Sequence, residues 1–154
     1  MSSSVKVEVV DEGIRRGCPD AEVVGKAFED GWIKVEALPE RALKQAEKLA
    51  DGEGISIADA QVIILSEKKK ALFLSDDIAL SKIAEMYGLK SWDTWNLLLE
   101  ALSRNLITIT ELNTVIEELG KRKFKLNPKQ AEEIIEAAKH IEKHLKQPNK
   151  ASHH

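Results

Sequence analysis

The sequence predicts an α/β fold with a small parallel sheet and a helical C-terminal tail. Three observations carry this. The run "ALFL" at 71–74 is continuously apolar and bounded by lysines and by Ser-Asp-Asp, as in a strand buried on both faces. Several longer segments repeat apolar residues at helical spacing. Strand-like and helix-like segments alternate along the first two thirds of the chain, an order that favours parallel pairing.

Taken in order, "VKVEVV" at 5–10 alternates Val with Lys and Glu, a short strand pattern. Gly13, Gly17 and Pro19 then break up any long helix. Asp20 can cap a helix through about Phe28, and "DGWIKVEAL" reads as a turn followed by a strand around Trp32 to Val35. Pro39 suits a first helical position. Behind it Ala42, Ala46, Leu49 and Ala50 share one face of a helix ending at Asp51-Gly52. Ser56 starts the next helix, with Asp59 three residues on as an acidic analogue of the capping box. After the 71–74 strand a helix runs through Tyr87 and stops at Gly88. A short "LKSW" segment and the helices "DTWNLLLEALSRN", "ITELNTVIEELG" and "NPKQAEEIIEAAKHIEKHL" complete the chain.

The 154 residues suffice for one domain, expected over 5–146, with 1–4 and 147–154 as flexible ends; the terminal "SHH" reads as a tag remnant. Hydrophobic residues make up 43% and charged residues 32%, yet no apolar run nears the roughly 20 residues that cross a bilayer. No leader pattern opens the sequence, so a cytoplasmic location is the expectation. Cys18 is the single cysteine, which excludes an internal disulfide and a multi-cysteine zinc site; its simpler use is as a small half-buried side chain. The net charge of -3 gives no global field to gather nucleic acid. Local basic patches remain at Arg15-Arg16, at Lys68-Lys69-Lys70 and in "KRKFK" from Lys121, each of which could equally be a solvated helix end.

Acids mark the candidate site. In open parallel sheets ligands bind beyond the carboxyl ends of the strands. Asp76 and Asp77 follow the 71–74 strand, and Asp11 and Glu12 follow the strand expected at 5–10. Asp59 opens the helix that leads into the 71–74 strand. A helix antiparallel to its strand returns its first turn to the strand's far end, so Asp59 should meet Asp76 and Asp77. Converging carboxylates repel unless a cation joins them, and oxygen ligands suit magnesium or manganese. Such a site activates water and stabilises charge on a phosphate in transfer. The bland alternative is that the same acids satisfy free helix amides.

The stretch "GISIADAQVIILSEKKKALFLSDDIALSKIAEMYGL" resembles the C-terminal half of a PIN domain. "CPDAEVVGKAFEDGWIKV", "LLLEALSRNLIT" and "LGKRKFKLNPKQAEEII" are similar to an archaeal and bacterial PIN-like subgroup. The resemblance implies a three-layer α/β/α fold and magnesium- or manganese-dependent endoribonuclease activity of a toxin-like kind. It places acid positions at Asp59, in Ser-x-x-Asp-Ala, and at Asp77, with Asp76 able to share the second role. A further acid maps to Glu12, and Asp11 could stand in for the acid that ends the family's first strand, which has no clean counterpart here. The implied catalytic set is Glu12, Asp59 and Asp77, with Asp11 and Asp76 as further metal ligands. Lys68 or Arg15 would meet RNA phosphates. Either "VKVEVV" fills the first-strand position, or a partner chain or second copy supplies a strand, or the module is degenerate and works by protein or RNA binding.

Other candidates have plainer uses. Glu53 reads as a loop acid, and His140 and His144 as part of an exposed polar face despite their metal-ligand spacing. Trp32, Trp92 and Trp95 could stack on bases but lie amid apolar residues, where core anchoring is the simpler role.

Overall fold

A computed structural model of the chain describes residues 1–121 and 128–145. Contacts gather into two units, Met1–Ser91 and Trp92–His154. Most of the basic run at 121–125 and the expected flexible end at 147–154 lie outside the described residues.

The first unit opens with helix where a strand was expected. α1 (Ser3–Lys6), a π-helical stretch (Val7–Glu12) and α2 (Gly13–Arg15) follow one another without a break. Ser2 caps α1 by accepting from the Val5 amide. The period-2 reading of "VKVEVV" fails because the pairing that matters is i to i+5. Lys6 bonds Asp11 at 2.8 Å, and a π-helix brings residues five apart onto one side. Val10 is buried and lies against Gly25, while Val7 and Val9 face outward. Gly13 does not break the helix either. A Cβ there would come within 2.6 Å of the Ala21 Cβ, so its absence lets α2 approach α3 (Pro19–Glu29).

The strand expected around Trp32 to Val35 does not form; only a parallel bridge between Ser2 and Glu36 is present. An extended segment needs a ladder partner, and among the described residues the chain start is the one it has. Trp32 is accordingly 86% exposed and no core anchor. Cys18 is exposed rather than half-buried.

α4 (Glu40–Glu53) and α5 (Ile57–Lys69) form a tight helical hairpin. Gly54 closes α4 at φ 66°, a conformation that costs a side chain about 1–2 kcal/mol. Ala42, Ala46 and Leu49 of α4 meet Ala60, Ile63 and Ile64 of α5 in the core. Phe73 of β1 (Phe73–Leu74), Ala84 of α6 (Ile78–Met86) and Leu89 complete it. β1 pairs in parallel with β2 (Ser91–Trp92), and the Phe73 amide donates to the Lys90 carbonyl. The fold class holds: a mostly helical α/β chain with a small parallel sheet. The expectation that 71–74 is buried on both faces does not, because Phe73 is 1% exposed and Leu74 54%. Among the described residues β1 is paired along one edge only.

The second unit is the helical tail: α7 (Thr94–Ser103), α8 (Ile109–Lys121) and α9 (Pro128–Leu145). Leu102, Leu112 and Ala138 form its core, and Trp95 is buried. Thr108 and Glu111 cap α8 reciprocally, the box that links an N-cap hydroxyl to an acid three residues later.

Candidate functional site

The site is built where α5 begins and β1 ends. Ser56 accepts from the Asp59 amide at 3.0 Å and donates its hydroxyl to the Asp59 carboxylate at 2.7 Å, which fixes that acid in the first turn of α5. At the other end, Ser75 accepts from the Asp77 amide at 3.1 Å, and the Asp77 carboxylate caps α6 by accepting from the Leu80 amide at 2.9 Å. The loop after β1 is thus set by two side-chain caps in succession.

Residues 71–75, which contain β1, line a groove of about 510 Å³. Asp59 lines it together with Leu74 and Ser75, so the start of α5 and the end of β1 share one surface. Val62, Leu65 and Ser66 of α5 line it along the helix, and Met1, Val5 and Glu36 also take part. Toward the far end Lys69 pairs with Glu36 at 2.9 Å. The Lys69 hydrogen bond and its charge hold the Glu36 carboxyl below its usual range.

Asp11 and Glu12 do not end a strand and lie on the helical N-terminal run. Asp11 is paired with Lys6, and Glu12 with Arg15 and Arg16. Arg15, expected near a phosphate, is therefore engaged by its own helix. Asp76 lies in the loop between Ser75 and the Asp77 cap.

One acid had no part in the sequence reading. The N-terminal ammonium bonds the Lys34 carbonyl near the Glu36–Lys69 end of the groove, and Ser4 donates to the Gln61 side chain at 2.7 Å. α1 therefore runs antiparallel to α5, and Glu8 lies on its helical continuation. The strand reading of 5–10 hid this, because a period of two says nothing about which residue one helical turn beyond Ser4 approaches.

Carboxylate oxygens suit magnesium or manganese. Among the described residues, however, no three His, Cys, Asp or Glu side chains stand together as a ligand set. The donor chemistry fits the metal and the assembled number does not. His140 and His144 pack edge to face, with ring centroids 4.3 Å apart, on an exposed stretch of α9. No described helix is long and apolar enough to cross a membrane.

Comparison with known proteins gives one result. A family model described as PIN domain matches residues 1–140. No curated protein and no solved structure matches. At family level the PIN domain is nucleic-acid related and nuclease-like. With nearly its whole length matched, the chain belongs to the PIN-domain family.

Proposed function

We propose that this chain acts on RNA at the carboxyl end of β1, as an endoribonuclease that uses magnesium or manganese. The observation that carries the reading is the shared groove, which brings the start of α5, with Asp59, to the end of β1 and the loop bearing Asp77. Asp59 and Asp77 are the two acids of the site. Glu8 is the third acid that the course of the N-terminal helix favours over Glu12, which two arginines already engage. Asp76 is the neighbour able to share the role of Asp77. A bound divalent ion would supply water activation and charge neutralisation at phosphate.

A second reading has its own support. The unassembled ligand set and the open β1 edge favour a module that binds RNA, or joins a partner protein or second copy, without cleaving.

An RNA cleavage assay with magnesium or manganese separates the two. Asp77→Asn retains a good N-cap, so α6 should stay folded while cleavage falls to background. Glu8→Gln should impair cleavage more than Glu12→Gln. Wild-type protein that cleaves no RNA with either metal sinks the nuclease reading and leaves the binding module.

A further inference from the structure

We propose that the outer face of α4 and the end of α6 form a binding track for single-stranded RNA, with phosphates on α4 and a base beside Tyr87. The proposal rests on the nucleic-acid reading above and adds where the strand lies and which bases it favours.

Arg41, Lys44 and Lys48 are exposed at spacings of three and four, on the side of α4 opposite the buried Ala42, Ala46 and Leu49. They make a cationic ridge about 10 Å long. Lys44 pairs with Glu40 at 2.8 Å, an exposed pair of the kind a phosphate readily replaces. Arg41 and Lys48 form no ion pair with a described residue. The ridge borders a concavity of about 530 Å³ lined by those three residues with Glu40 and Gln45.

Gln45 and Lys48 also line an adjoining concavity of about 300 Å³, so the two surfaces are continuous. Its remaining lining includes Gly52, Glu53, Glu67 and Tyr87. Tyr87 is 39% exposed and offers a ring for stacking. Nothing lies within 4 Å of a Cβ built on Gly52, so the floor there is open.

The charges sort the parts of a nucleotide. Glu53 and Glu67 repel phosphate, which leaves the second concavity for a base and the ridge for the backbone. Both carboxylates only accept hydrogen bonds, so they suit a base with an exocyclic amino group. The cytosine amino group offers two hydrogens, one for each carboxylate, whereas uracil offers the single N3–H. The track therefore favours C over U.

The test is fluorescence anisotropy on the full chain with labelled oligo(C) and oligo(U) about ten nucleotides long, within the site sizes of single-strand binders. EDTA is present, so cleavage plays no part. Oligo(C) should bind about tenfold more tightly than oligo(U), the order of one good base contact. The triple variant Arg41→Gln, Lys44→Gln, Lys48→Gln should flatten the log–log salt dependence by about 2, at roughly 0.7 per neutralised phosphate. Tyr87→Ala should weaken oligo(C) binding about tenfold and Tyr87→Phe should keep it, because the ring is what stacks. The three α4 side chains are exposed and Gln matches Lys and Arg in helix propensity, so folding is not at stake in the triple variant, and circular dichroism of Tyr87→Ala checks that its loss of binding is not loss of fold. An unchanged salt slope in the triple variant overturns the track. Loss of binding in Lys68→Gln, Lys69→Gln, Lys70→Gln, with the α4 triple variant unaffected, moves the RNA elsewhere and overturns the track alone. Wild-type protein that binds no RNA at low salt overturns both the track and the function it rests on.

Discussion

Replacing Phe73 and Leu74 separately by alanine tests whether β1 faces one core or two. Phe73 is 1% exposed and packs in the cluster that holds Ile63, Ile64, Ala84 and Leu89. Truncating such a ring removes its transfer free energy and leaves a void, together about 3–5 kcal/mol. Leu74 is 54% exposed, so less than half of its burial is at stake and no closed cavity forms. Its loss should cost about 1 kcal/mol. Domains of this kind are held by only about 5–15 kcal/mol, so Phe73→Ala should consume a large share of the total. Urea unfolding followed by far-ultraviolet circular dichroism reads the difference. With a slope of about 2 kcal/mol per molar, the midpoint should drop about 2 M for Phe73→Ala and about 0.5 M for Leu74→Ala. Equal drops would refute the one-sided strand and restore the doubly buried strand that an apolar run suggests.

Two further outcomes follow from the caps and the ion pair. Ser56→Ala removes the acceptor for the Asp59 amide and should cost about 1 kcal/mol by the same urea measurement. Glu36 has its carboxyl held low by Lys69, so the pair's contribution is present above the ordinary glutamate range and is lost as pH falls through the lowered value. Stability curves of wild type and Glu36→Gln should therefore differ at neutral pH and converge in acid; a constant gap across that window would remove the ion pair as the cause.

The middle of the chain was legible because its signals are local and agree with one another. Ser56 with Asp59, Gly88 after α6 and the small-residue face of α4 each specify a boundary or a packing side without help from distant residues. What stayed hidden depends on long-range partners. "VKVEVV" has β-branched residues in alternation, but a strand needs a ladder and a helix carries its own, so the segment takes the self-sufficient form. Trp32 lies amid apolar neighbours in sequence, yet no sheet forms around it to bury the ring. Likewise the two faces of 71–74 could not be told apart from composition, because an apolar run reports hydrophobicity and not how many layers lie above it.

The acid edge owes its shape to fasteners. Asp59 is held by the hydroxyl that starts α5, and Asp77 secures the first turn of α6. Each contact engages one carboxylate oxygen, Oδ2 of Asp59 and Oδ1 of Asp77, so the second oxygen of each acid can turn to a ligand while both helix starts stay buttoned. The same fasteners that close the two helix starts thus hold both acids in a fixed pose, so stiffer helix starts would aim their remaining oxygens more narrowly.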